Sequence, residues 1–334
     1  MAGIQIAISH DDNTTVLKDY NSVNGSPTYS AGNGRNSTAS LRCTGLQTAT
    51  KTLPTALSTI YHAFSYRTSV LPGVTRVIAA LLDVGTVQVR LVILVDGTMR
   101  MELGAGTATL ATSSGFSMLA NVTYHIEWKI VIHNSTGTAT LWINEVQRAN
   151  ATGLDTQATA NSTASQVLIG SGNENGAQVD HFDDHLVRDD QQIGDRQVRS
   201  FLPTGIGATN QWTAVGAATT REAVDEAAPN DDTDYAEEST VGEISLFTFG
   251  SIPSTSTIDA VIPYPYAKKT DAGTAKFKSV VRHSGVNYPG AEKAPSDGAY
   301  EYHPDILMVN PGTAAAFTAA DWNAPIEIGV ERTA

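Results

Sequence analysis

A chain of 334 residues with 41% hydrophobic content is long enough for two cores, and apolar runs recur along its whole length, which excludes a disordered polymer. A formal charge of −13 makes nucleic acid an unexpected partner, because an acidic surface repels phosphate. Charged residues make up only 16% of the chain against a usual ~25%, with small polar residues filling the gap, as suits strand faces and tight turns.

The single cysteine, Cys43, permits no intrachain disulfide, so burial and backbone pairing must hold the fold. The apolar run at 77–82 is far shorter than the ~20 residues a bilayer-crossing helix needs, and no membrane partner is expected. The opening MAGIQIAISHDD lacks the basic-then-apolar order of a secretion signal, so the expectation is a chain that folds in a cytosol.

In chain order, residues 22–42 are rich in Gly, Asn and Ser and read as loops around a short strand. Residues 61–67 and 75–82 read as strands. Residues 87–95 and 98–103 form a hairpin through Asp96-Gly97, a pair suited to the positive φ of a tight turn. Residues 123–133 (TYHIEWKIVIH) alternate cleanly: Tyr124, Ile126, Trp128 and Ile130 share the core face, and Glu127 is expected to face solvent. Residues 134–137 turn, 139–147 return as one strand, and 150–165 read as a loop. Residues 167–169 and 178–187 close the first half as strands. Short strands, turn residues and no long helical pattern predict an antiparallel sandwich.

Residues 189–203 read as the joint between two β-rich halves, with 196–202 extended ahead of Pro203. Further short strands are expected at 210–215, 243–249, 256–266, 274–283, 300–307 and 326–332. Pro263 and Pro265 place a strand end at a sheet edge. Residues 314–322 predict one helical turn, with Thr318 as its cap.

The run at 178–187 (QVDHFDDHLV) offers the candidate metal ligands Asp180, Asp183 and Asp184, with calcium as the ion that converging carboxylates would hold. On an unbroken strand Asp180 and Asp184 share one face, and His181, Asp183 and His185 share the other. The alternative is a solvent-facing strand edge kept soluble by charge. The acidic stretch at 229–239 (PNDDTDYAEES) reads as an exposed loop or a contact for a basic partner, and it lacks the spacing of a calcium-binding loop. No cofactor motif occurs. No paired-carboxylate strand of the Glu-x-Asp-x-x-Glu type, Gly-x-Ser-x-Gly elbow or phosphate loop is present, so no catalytic role is expected. Carbohydrate binding would need aromatic platforms. Trp142, out of phase with Leu141 and Ile143, and Tyr264 and Tyr266 are the candidates, with Tyr288, Tyr300 and Tyr302 nearby in sequence. Packing or an oligomer contact is the alternative role for each.

Several of these phrases, taken in order, resemble tailed-phage virion proteins. Residues 1–195 resemble a concanavalin A-like (laminin-G-like) jelly-roll, through YHAFSYR at 61–67, the Asp96-Gly97 hairpin, the 123–147 run and QVDHFDDHLV. Residues 196–334 resemble the β domain that often follows it, through NQWT at 210–213, PNDDTDYAEES, EISLFTF at 243–249, FKSVVRH at 277–283 and IEIGVER at 326–332. The resemblance implies an all-β chain, a concanavalin A-like jelly-roll sandwich plus a second, smaller β-sandwich domain. It implies a non-enzymatic structural protein on the outer surface of the particle (capsid decoration, head/neck or tail fibre). That protein would be assembled in the host cytoplasm with other virion proteins as a homo-oligomer. The alternative it implies is a tail module that binds a host-surface glycan or receptor.

Overall fold

The computed structural model describes residues 3–10, 18–172, 178–227, 229–270, 272–324 and 326–334. The chain divides into two compact units, Met1–Ser200 and Phe201–Ala334, a few residues beyond the expected 195/196 boundary. Among the described residues no helix is long and apolar enough to cross a membrane.

The first unit contains β1 (Ile4–Ile8), β2 (Ser22–Asn24), β3 (Thr28–Ser30), β4 (Ser40–Thr44), β5 (Leu46–Leu57), β6 (Thr59–Thr68), β7 (Arg76–Asp83) and β8 (Thr86–Ile93). It continues with β9 (Met99–Leu103), β10 (Ala108–Thr112), β11 (Tyr124–Val131), β12 (Gly137–Ile143), β13 (Val146–Leu154), β14 (Ala164–Gly172) and β15 (Val179–Arg188). Among the described residues these form two antiparallel sheets. The eight-stranded sheet runs β13-β12-β11-β6-β15-β4-β3, with β1 added to β15, and the seven-stranded sheet runs β10-β9-β8-β7-β14-β5-β2. This is a jelly-roll sandwich of the concanavalin A-like type.

One core lies between the sheets. Phe64, Trp128, Phe182 and Leu41 of the first meet Ile78, Leu81, Leu91 and Met99 of the second, all fully buried. Each such side chain stabilises the unit by about 1.5–3 kcal/mol. The alternation of residues 123–133 is as expected, with Ile126, Trp128 and Ile130 inward.

The Asp96-Gly97 hairpin is present, with Gly97 at φ 80° and the Asp96 carboxylate accepting from Thr98 N at 2.9 Å. Two expectations are corrected, and one strand lies where none was expected. Residues 139–147 are not one strand: a two-residue turn at Asn144-Glu145, with φ 49° and 63°, separates β12 from β13. Strand β13 then runs to Leu154, into what reads as a loop. Strand β5, Thr-rich and broken by Pro54, has no apolar period, yet it pairs with β14 and β2.

The second unit contains β16 (Pro203–Asn210), β17 (Thr213–Val215), β18 (Tyr235–Glu237), β19 (Ile244–Phe249), β20 (Tyr266–Ala267), β21 (Phe277–His283), β22 (Val286–Lys293), β23 (Glu301–Tyr302), α1 (Ala319–Asn323) and β24 (Glu327–Arg332). It is the smaller β-sandwich. A five-stranded sheet, β16-β19-β24-β21-β22, presents Val281 and Ile328 to a facing layer of short pieces, including the Val261↔Leu307 bridge and Phe317. Pro263 and Pro265 precede β20 and contribute only carbonyls, to Asp305 N and His303 N, as residues lacking an N–H can. Helix α1 is capped as expected: Thr318 Oγ1 accepts from Asp321 N, and the Asp321 carboxylate accepts from Thr318 N.

The β7–β8 turn places Val84 at φ 45° and 82% exposed. A β-branched residue is strained there and gains no packing in return. Val84→Asn is expected to raise unfolding stability by about 1 kcal/mol in a urea titration; an unchanged or lower midpoint would show the turn to be unstrained.

Candidate functional site

The Asp/His run of β15 lies in the interior of its sheet, between β6 and β4, and not at an edge. Asp180 and Phe182 point into the sandwich. Asp180 Oδ1 accepts from Tyr66 Oη at 2.9 Å and lies 3.2 Å from Arg76 Nη2, with both charged side chains fully buried. The same Arg76 nitrogen also donates to Tyr66 Oη and Thr68 Oγ1, each at 3.0 Å. Burial raises the Asp180 carboxyl above its ordinary range, and Arg76 opposes that rise.

At Asp183–Asp184 the strand bulges, with Asp184 at φ 50° and the register to β6 slipping before Leu186. The bulge reverses the alternation, so His185 and Val187 turn inward where an unbroken strand would send Asp184 and Leu186. The expected sharing of faces therefore fails. Asp183 accepts from Arg35 N at 2.9 Å, Thr38 Oγ1 at 2.9 Å and Asp184 N at 2.8 Å. Asp184 accepts from Val198 N at 2.7 Å and from Ser65 Oγ at 3.3 Å. Asp180 thus serves a network inside the sandwich, while Asp183 and Asp184 share another on its outer side, linked by the Asp184 N–H and by Arg35. Among the described residues no group of three or more His, Cys, Asp or Glu side chains is arranged to hold a metal ion.

Residues 189–200 cross the outer face of the eight-stranded sheet as a strap without strand pairing. Side-chain oxygens hold its backbone. Glu127 accepts from Ile193 N at 2.7 Å and Gly194 N at 3.0 Å, and Asp184 accepts from Val198 N. Ile193 packs on Ala63 and Leu186, with Val198 beside them. Glu127 is therefore fully buried and does not face solvent. Burial raises its carboxyl pKa, partly offset by the two N–H donors. No apolar period marks this segment, so its covering role left no signal in the sequence.

Inside the sandwich four rings form a chain. His62 Nε2 lies 2.9 Å from His185 Nε2, His185 Nδ1 lies 3.1 Å from Tyr20 Oη, and Tyr20 Oη lies 2.8 Å from His10 Nε2. His10 Nδ1 then lies 3.7 Å from Asp183 Oδ1. Burial drives His62 down to about 3, and burial with the neighbouring His62 drives His185 well below its ordinary value.

In the second unit, β20 and β23 pair Tyr266 with Tyr302 and gather four phenol rings. Tyr264 and Tyr302 lie 4.5 Å apart, Tyr266 and Tyr302 4.7 Å, and Tyr266 and Tyr300 stack at 5.1 Å. The acidic stretch meets this cluster. Tyr266 Oη donates to Asp231 Oδ1 at 3.0 Å, Tyr300 Oη donates to Asp232 Oδ1 at 3.2 Å, and the Lys268 ammonium sits 4.6 Å over the Tyr300 ring while pairing with Asp232. Burial, then the Asp232 charge, pushes the Tyr300 phenol up, and Lys268 pulls Asp232 down. All four rings are half-buried. Tyr264 and Tyr266, expected as candidates, are thus brought together with Tyr300 and Tyr302. Tyr288 lies on β22 opposite Val281 and makes no ring contact with the four. Trp142, in the first unit, is half-buried on the outer face opposite Glu127 and Gln147.

No protein-family model matches the chain, and no curated protein matches it. Among solved structures it is similar to a cellulose-induced protein, Cip1, at 13% identity and TM-score 0.42, over 53% of this chain and 90% of that one. It is similar to the alginate lyase Aly36B at 10% identity and TM-score 0.41, over 56% and 98%. It is also similar to the carbohydrate-binding module CBM66 from Bacillus subtilis at 9% identity and TM-score 0.33, over 48% and 91%. At these values the fold rests on the strand pairings themselves.

Replacing Arg76 by Met leaves Asp180 buried without its cation, and the expected loss is about 3–5 kcal/mol of unfolding free energy. Arg76→Met combined with Asp180→Leu should recover most of that loss; no recovery would mean that the charge pairing is not the cause. The pH dependence follows from the histidines. His62 and His181, with folded pKa values of about 3 and about 4, stay neutral while the unfolded chain takes up protons near 6.5. Their contribution is present above ~6.5 and is lost as pH falls toward the folded values, by about 1.4 kcal/mol per pH unit for each group. Asp180 and Glu127, with raised values, act in the opposite sense. The readout is therefore the difference between wild type and His62→Gln in urea midpoints from pH 7 to 4, where the variant should show the shallower decline.

Proposed function

We propose that the chain is a non-enzymatic structural protein on the outer surface of a tailed-phage particle, acting by assembly with other virion proteins. The observation that carries this reading is where the reactive side chains stand. The candidate acids and bases of the first unit bind backbone N–H groups, one another or a buried arginine. A general acid or base must reach a substrate and change protonation near the working pH. Buried histidines driven far below neutrality cannot do so. What remains for recognition is surface, and repeated copies of one surface favour a symmetric assembly. The in-order resemblance of both halves to virion proteins supports the setting.

Quantitative mass spectrometry and antibody labelling of purified particles test this reading. Hundreds of copies on the head would mean decoration, and a few to a few dozen at the neck or tail would mean a fibre-type component. Absence from particles overturns the proposal.

A second reading, a glycan-binding module of the tail, is favoured by the tyrosine cluster. Half-buried rings beside Asp231, Asp232 and Lys268 combine apolar faces with hydrogen-bonding groups, as sugar recognition requires. On a glycan array of host-envelope sugars, Tyr302→Ala and Tyr266→Ala should each weaken binding at least about tenfold, the equivalent of ~1.4 kcal/mol. Unaltered binding in both variants removes the platform from the reading.

A further inference from the structure

An asparagine followed by glycine is the pair most open to spontaneous imide formation, because glycine has no Cβ to shield the attacking backbone nitrogen. The described residues contain two such pairs, Asn24-Gly25 and Asn33-Gly34, and a third, at 175–176, lies outside them. The fold fixes both glycines. Gly25 has φ 71°, and a Cβ there would lie 2.8 Å from Gln47 Cγ. A Cβ at Gly34 would collide with Ala39 O. The two pairs therefore share the same local chemistry and differ in how the asparagine is held.

Asn33 is pinned. Its Nδ2 donates to Ser30 Oγ at 2.9 Å and to Ala31 O at 3.2 Å, and its Oδ1 accepts from Arg67 Nη1 at 3.1 Å. The Gly34 N–H donates to Thr38 O at 2.8 Å. Leaving group and nucleophile are both engaged. Asn24 is held in none of these ways. Asn24, Gly25 and Ser26 are exposed, and among the described residues neither the Asn24 side-chain amide nor the Gly25 N–H makes a hydrogen bond. Asn24 ends β2, a strand of three exposed residues at the edge of its sheet, paired only with β5. Such an end opens at little cost.

We propose that Asn24 is a site of spontaneous deamidation, and that the fold protects Asn33 from the same reaction. The Gly25 nitrogen gives its proton to solvent and bonds to Asn24 Cγ. The Cγ–Nδ2 bond breaks, and Nδ2 takes up a proton and leaves as ammonia. Water then opens the cyclic imide at either carbonyl, giving aspartate or isoaspartate, with no oxidation or reduction. Each event adds a negative charge at the edge of the seven-stranded sheet. Isoaspartate also routes the main chain through the side-chain carbon, and that added backbone atom does not fit the Asn24↔Thr48 pairing. Loss of β2 would leave β5 as the open edge of the sheet.

The test incubates the full chain at mildly alkaline pH, once folded and once in guanidinium chloride. Chymotryptic cleavage after Tyr20 and Tyr29 puts Asn24 and Asn33 on different peptides, and mass spectrometry reads amide-to-acid conversion at each. In the folded chain Asn24 should convert at least about tenfold faster than Asn33, because the four hydrogen bonds on Asn33 and Gly34 must open before that ring can close. In guanidinium chloride the two should convert at comparable rates, which assigns the difference to the fold. An isoaspartyl methyltransferase should label the 21–29 peptide of the folded sample, since the imide route yields isoaspartate and direct hydrolysis does not. The comparison needs no variant to fold. Folded-state conversion of Asn33 as fast as that of Asn24, no conversion of Asn24, a rate difference that persists in guanidinium chloride, or aspartate without isoaspartate at position 24 overturns the proposal.

Discussion

Arg76 and Asp180 meet between the two sheets of the first unit, and the arrangement of its strands depends on that contact. Arg76 belongs to β7 of one sheet, whereas Asp180 and its hydrogen-bond partner Tyr66 belong to β15 and β6 of the other. A buried ion pair adds little net stability over an apolar pair of similar volume, but a lone buried charge is severely destabilising. The pair therefore acts as a selector. A one-residue slip of β15 would turn Asp180 to the outer face and leave Arg76 alone in the core. The native register is the one that keeps both charges together.

The bulge at Asp183–Asp184 follows from the same strand's two tasks. Ahead of it β15 must send Asp180 and Phe182 inward, and beyond it His185 and Val187. No unbroken period of two satisfies both. The extra residue absorbs the mismatch and leaves two adjacent carboxylates on the outer side. Asp183 ties down the turn at Arg35, and Asp184 ties down the strap at Val198. The strap in turn buries Glu127 and Leu186. One backbone irregularity thus links the core, a loop and the cover of the outer face.

The parts of this structure legible in the sequence are those with a local cause. Residues 123–133 announce their inner face by period, Asp96-Gly97 announces its turn by φ preference, and Thr318 announces a cap. What stayed hidden depends on distant residues. The turn at Asn144-Glu145 lacks the glycine that marks such turns, and β5 has threonines where an apolar alternation would be read. The acids of β15 look like metal ligands or a charged edge until β6, β7, the turn at Arg35–Thr38 and the strap supply their partners. Tyr264 and Tyr266 were visible as aromatics, but Tyr300, Tyr302 and Asp231 join them only through the β20–β23 pairing and the fold of the acidic loop.

The location of charge also bears on the proposed function. An enzyme keeps its ionisable groups reachable and poised near the working pH. In the first unit large perturbations sit on His62, His185, Tyr66 and Cys43, where burial favours the neutral form. These perturbations belong to structure. The tyrosines at partly open surface are of another kind, with the Tyr300 phenol kept protonated by burial and by Asp232. Such groups recognise without exchanging protons, which suits the proposed role of holding a partner.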